Sequence, residues 1–140
     1  MTGFGTGTCP VFAEKPSPLP SLRIAVVDDE VVLLRVLERY LVMRGHRVDV
    51  YDSGVKFLNS WPNSKKYDLV MLDICMPSMD GMEVLDVMST RERTLPRIVI
   101  ISGYDSTGLL PQALKNHRVS YLPKPFRLEA LAEMIQNTTP

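Results

Sequence analysis

Five polar side chains stand where short apolar runs end. Asp28 and Asp29 follow the run 22–27, Asp73 lies at the end of 68–74, Ser102 follows 97–101 and Lys124 follows 119–122. Three carboxylates brought together would repel and raise one another's pKa unless a cation sits among them. With oxygen ligands and no His or Cys set, a hard divalent ion fits, and Mg²⁺ would keep several waters and leave room for a phosphoryl oxygen. Lys124 supplies a further positive charge and Ser102 a hydroxyl able to meet a phosphoryl group. The set points to phosphoryl transfer onto a carboxylate.

These residues meet only if the elements carrying them bring the strand tips together. From Ser21 onward, short β-branched runs alternate with segments of helical period, the pattern of βαβ units around a parallel sheet. Strands are expected at 22–27, 47–51, 68–74, 97–101 and 119–122, and helices at 30–44, 53–60, 81–90, 106–116 and 127–136. The first helix is the clearest, with Leu34, Leu37 and Leu41 on one face and Gly45 just past its end. The fourth, with Gly108 and Pro111 inside it, is expected to be the least regular and most mobile. An open α/β sheet binds its ligands beyond the carboxyl ends of its strands. If strand two is the outer edge, in the order 2-1-3-4-5, the four decorated strands adjoin and their polar tips converge.

Taken singly, each residue has a plainer reading. Asp28 and Asp29 before a helix read as N-caps, and Asp80 with Gly81 as a turn and helix start. Asp73 alone could simply close a strand, Ser102-Gly103 is a common turn pair, and Lys124 between Pro123 and Pro125 could be a solvated loop lysine. Independent turns, however, have no reason to put acid, acid, hydroxyl and lysine on four adjoining tips. Cys75 reads as a bystander to redox chemistry, since nothing cationic adjoins it in sequence. His46 and His117 read as surface residues, and Met82 and Met88 as core packing.

The remaining composition sets limits. The 140 residues are enough for about one domain, and 16 basic side chains against 16 acidic ones leave no net charge. A general polyanion binder is disfavoured, and neither nucleic acid nor a membrane surface is an expected partner. Two cysteines, Cys9 and Cys75, form no metal spacing or disulfide framework, and no export signal or membrane span is evident, so a cytoplasmic location is expected. Residues 1–20, with three glycines, four prolines and no apolar periodicity, read as a flexible tail ahead of one domain over 21–140. Gly3, Gly5 and Gly7 lack the flanking strand and helix that a phosphate-binding loop needs.

Four segments in order resemble the receiver domain of two-component response regulators: Val26-Val27-Asp28-Asp29-Glu30, the run Leu72 to Gly81, Ile101-Ser102-Gly103, and Tyr121-Leu122-Pro123-Lys124-Pro125-Phe126. The resemblance spans about 21–140 and implies a doubly wound (βα)5 flavodoxin-like three-layer sandwich. The order 2-1-3-4-5 comes with the family rather than from spacing. It implies that Asp73 is the phosphoacceptor, that Asp28 and Asp29 hold Mg²⁺ with it, and that the backbone carbonyl of Cys75 completes the metal shell. Ser102 and Lys124 match the residues that contact the phosphoryl group, and Tyr121 the aromatic switch. The bond before Pro125 is expected to be cis. The implied partners are a histidine kinase or histidine phosphotransfer protein as donor, and a downstream protein on the face of the fourth helix, fifth strand and fifth helix. The receiver would assist its own phosphorylation and dephosphorylation without being a conventional enzyme.

Two departures from the family pattern stand out. Gly103 replaces a frequent alanine, leaving more space beside the phosphoryl group, and 115–120 lacks the usual small-residue approach to the fifth strand. No output domain is expected after the fifth helix, so the chain reads as a stand-alone receiver or a piece of a longer regulator or hybrid histidine kinase. Two other functions compete with this reading. An aspartyl-phosphate phosphatase of the haloacid-dehalogenase type needs a second acid two residues after the nucleophile, where Cys75 stands. A phosphorylation-independent pseudo-receiver has usually lost an acid or the lysine, and all are retained.

Overall fold

A computed structural model describes residues 21–61 and 67–138; the expected tail over 1–20, with Cys9, lies outside the described residues. In chain order the elements are β1 (Arg23–Val27), α1 (Val31–Met43), β2 (Arg47–Tyr51), α2 (Gly54–Ser60), β3 (Leu69–Asp73), α3 (Gly81–Arg91), β4 (Arg97–Ser102), α4 (Leu110–Ala113), β5 (Val119–Pro123) and α5 (Leu128–Thr138). The five strands are parallel in the order β2-β1-β3-β4-β5. All five residues of β3 are buried, as expected of a parallel strand covered on both faces.

Side-chain alternation along the strands feeds two separate cores. Leu69 and Met71 face one layer with Leu34, Leu37 and Leu41 of α1 and Leu131 and Ile135 of α5. Val70 and Leu72 face the other, with Phe57 of α2, Val84 and Met88 of α3 and Leu110 of α4. The leucine stripe of α1 thus packs as its spacing predicts, and Met82 and Met88 are core residues. The chain leaves α1 through Gly45, whose φ of +96° is left-handed backbone that glycine adopts without strain.

The structure corrects two local expectations and one of the plainer single-residue readings. The helix expected over 106–116 is a single turn, Leu110–Ala113. The Asp105 carboxylate takes the backbone N–H groups of Thr107, Gly108 and Leu110, and Gly108 sits at φ +73°, so a side-chain-capped turn replaces the first helical turns. His46 is buried, not on the surface: its Nδ1 accepts the backbone N–H of Leu22 at 3.1 Å, satisfying the donor that opens β1. His117 is exposed as expected. Finally, neither Asp28 nor Asp29 caps α1; the N-cap is Glu30, which has no side-chain cap bond. Asp80 does cap α3, forming a capping box with Glu83.

Candidate functional site

The parallel register aligns the strand ends: Val27 pairs with Leu72, Asp73 with Ile101, and Ser102 with Pro123. Asp28 just beyond β1, Asp73 at the end of β3 and Ser102 at the end of β4 are all buried, while Asp29 is exposed. Carboxylate oxygens of Asp28, Asp29 and Asp73 lie within 4.8 Å of one another. Lys124 reaches back from the end of β5 with its ammonium 2.8 Å from Asp28 Oδ2, 2.7 Å from Glu30 Oε1 and 3.7 Å from Asp73 Oδ2. The Lys124-Pro125 bond is cis.

Electrostatics in this pocket follow from burial and crowding. Burial, then the charge of Asp28, pushes the Asp73 carboxyl up to about 7, against the opposing pull of Lys124. Burial also raises Asp28, partly offset by Lys124 and by the Glu30 N–H that Asp28 Oδ1 accepts at 2.9 Å. Burial works to lower Lys124, but Asp28 and Glu30 outweigh it and hold the ammonium above its ordinary value. The ion pair leaves Asp28 Oδ2, fully buried, without a well-directed hydrogen bond. A fully buried carboxylate oxygen whose one partner is the Lys124 ammonium, a carboxyl driven toward protonation by burial and then by like charge, and three converging acids with no His are what a hard divalent cation would satisfy. The residues present fit such an ion.

Glu30 is the site residue that spacing did not single out. Its signal was the third acid of the run Asp28-Asp29-Glu30, and it shares Lys124 with Asp28. In the sequence Gly81 reads only as a helix start. A Cβ there would run into the backbone carbonyl of Asp73 and approach Ile74 Cα at 3.0 Å, so glycine lets α3 start directly behind the strand tip. At Gly103 a Cβ would meet Lys124 at an ordinary 3.8 Å. Cys75 is exposed, with Sγ 3.1 Å from the Tyr104 carbonyl, and its backbone N–H helps hold the Asp73 carboxylate.

Ser102 and Tyr121 are joined differently from the simplest switch. The Ser102 hydroxyl donates to the Tyr104 carbonyl at 2.8 Å, while the Tyr121 hydroxyl donates to the Ser102 carbonyl at 3.0 Å. Tyr121 is half-buried and packs against the core on the α3 side. The aromatic ring is therefore tied to the backbone of Ser102 while the serine hydroxyl is engaged with its own loop.

The family model of the response regulator receiver domain matches residues 24–136, and the chain belongs to that family. It is a receiver domain of the two-component signalling type, with the flavodoxin-like fold of its structural neighbours. Response regulator MprA of Mycobacterium sp. (strain KMS) is 36% identical over 110 residues, covering 79% of this chain and 47% of that protein. Two-component response regulator ARR2 of Arabidopsis thaliana is 34% identical over 122 residues, 86% of this chain and 18% of that protein. The chain thus spans about half the length of the mycobacterial relatives and less of the plant one. Response regulator TrrA of Thermotoga maritima, solved in complex with Mg²⁺-BeF, has a TM-score of 0.70 at 28% identity, covering 84% of this chain and 99% of that one. Among the described residues no helix is long and apolar enough to cross a membrane.

Proposed function

We propose that this receiver, over residues 21–140, accepts a phosphoryl group on Asp73 from a phosphohistidine donor, a histidine kinase or histidine phosphotransfer protein. The observation that carries this reading is the buried Asp73 carboxyl at the central strand tip, flanked by two further acids and facing Lys124 at 3.7 Å. The donor's phosphorus–nitrogen bond breaks as a phosphorus–oxygen bond forms to a carboxylate oxygen of Asp73; the leaving imidazole nitrogen keeps the bonding pair. Asp28, Asp29, Asp73 and the backbone carbonyl of Cys75 would hold Mg²⁺, which when bound offsets negative charge on the transferring group and on the carboxylates.

Lys124 swings from Asp28 toward the acyl phosphate, and the Ser102 hydroxyl leaves Tyr104 to donate to it. The Tyr121 hydroxyl is bound to the backbone of that same serine and passes the change to the face of α4, β5 and α5. There Lys115, His117 and Arg127 are exposed and Arg118 half-buried, and together they would meet an acidic protein target. The same pocket, with water as acceptor, returns the protein to its resting state. Intact mass after incubation with a small phosphodonor tests the reading. One phosphoryl group is expected, only with Mg²⁺ and not in Asp73→Asn. Stable label on Ser102, or label retained in Asp73→Asn, overturns it.

A further inference from the structure

The cleft between α3 and α4 takes no part in the chemistry proposed at Asp73. It encloses about 680 Å³, within the range of about 300–1,000 Å³ usual for ligand sites. Met82, Leu85, Leu95 and Val119 form an apolar floor, and Leu109, 52% exposed, stands at its lip. The α4 wall is held in shape by the backbone bonds to Asp105, with Thr107 also donating its hydroxyl to that carboxylate at 2.6 Å.

Charge along the cleft is one-sided. Asp80, Glu83 and Asp86 line it, while no described Lys, Arg or His does, and none of the three acids is in an ion pair among the described residues. Asp80 and Glu83 each commit one oxygen to the capping box, whereas Asp86 is exposed midway along α3. We propose that this cleft is a docking groove for a basic amphipathic helix of a partner protein. Its apolar side chains would lie on the Leu85, Leu95 and Val119 floor and its lysines or arginines against Asp86 and Glu83.

The inference does not rest on the acceptor role of Asp73 and is tested on the unphosphorylated full chain and on Asp73→Asn alike, so failure at Asp73 leaves it standing. The probes are an amphipathic leucine–lysine peptide and its counterpart with glutamate for lysine, titrated into isotope-labelled protein and followed by NMR. The lysine peptide is expected to shift Leu85, Leu95, Leu109 and Val119, and to bind at least about tenfold more tightly than the glutamate peptide. Asp86→Lys, a surface change that leaves the capping box intact, should weaken it by about fivefold or more with unchanged melting temperature. The proposal is overturned if the lysine peptide does not bind at millimolar concentration, if its shifts map to α1 or α5, if both peptides bind alike, or if Asp86→Lys binds undiminished.

Discussion

Lys124 stands nearer to Asp28 than to Asp73: its ammonium is 2.8 Å from one carboxylate and 3.7 Å from the other. The lysine thus pairs with the fully buried Asp28, while Asp73 keeps a carboxyl pushed up to about 7. Any cation entering among the three acids competes with this ammonium for Asp28, which couples metal binding to the position of Lys124.

Millimolar Mg²⁺ is therefore expected to raise the melting temperature, because the ion binds the folded pocket and relieves its carboxylate repulsion. Asp29→Ala removes one of the three carboxylates proposed to hold the ion, the one that is exposed, and should abolish the rise. Thermal melts with and without Mg²⁺ decide this; equal responses from wild type and variant would place the ion elsewhere.

The raised Asp73 pKa fixes a sign for pH dependence in buffer without divalent ions. The folded-state value of about 7 lies above the ordinary 3.8. Its stabilising contribution is thus complete below the unfolded value and is lost as pH rises through the folded one. Asp73→Asn removes that loss, so its stability advantage over wild type should grow from pH 4 to pH 8, and saturating Mg²⁺ should shrink it. Urea melts across that range measure the difference, and a difference that stays flat with pH would contradict the crowding argument.

His46 carries the opposite sign. Burial, then the charge of Arg44, lowers its pKa from 6.5. The unfolded chain therefore takes up a proton that the folded one refuses, and stability falls as pH drops below about 6.5. His46→Asn keeps an acceptor for Leu22 N–H without a titrating group, and should flatten this branch of the curve. An unchanged acid branch would mean that the imidazole is not what limits stability there.

Two glycines separate packing from access. Gly81→Ala forces a methyl against the Asp73 backbone and should cost about 1–3 kcal/mol and slow labelling of Asp73. Gly103→Ala meets only ordinary contacts and should change stability by less than about 0.5 kcal/mol, so any change it makes in phosphoryl lifetime reports on access. Chemical melts and label decay on the two variants separate these effects.

Side-chain periodicity exposed most of this architecture. The stripe Leu34, Leu37 and Leu41 fixed the buried face of α1, and apolar runs ending in Asp28, Asp73, Ser102 and Lys124 marked the tips that converge. The strand order came from family resemblance, because alternation says which face of a strand is buried but not which strand lies beside it. Polar side chains that pair with groups distant in sequence escaped for the same reason. Nothing near His46 in sequence points to Leu22 N–H, 24 residues away, or near Glu30 to Lys124, 94 residues away. The loss of most of α4 turned on Asp105 capturing three backbone donors, a local competition that propensity ranks but does not decide.

The arrangement around Ser102 sets the last expectation. Its hydroxyl is engaged with Tyr104 and its carbonyl with Tyr121, so a phosphoryl group on Asp73 can recruit the hydroxyl only if the bond to Tyr104 is given up. That releases the loop leading to Asp105 and α4, while the ring of Tyr121 follows the Ser102 backbone. Chemical-shift changes on forming the Mg²⁺-beryllofluoride complex should therefore run from Asp73 through Ser102 and Tyr121 into 105–118. Ser102→Ala lacks the hydroxyl that makes the exchange and should confine them to the metal pocket, and Lys124→Ala should still be labelled yet show the same restriction. Changes that reach 105–118 undiminished in Ser102→Ala would rule out this route and leave the Tyr121 hydroxyl as a structural bond.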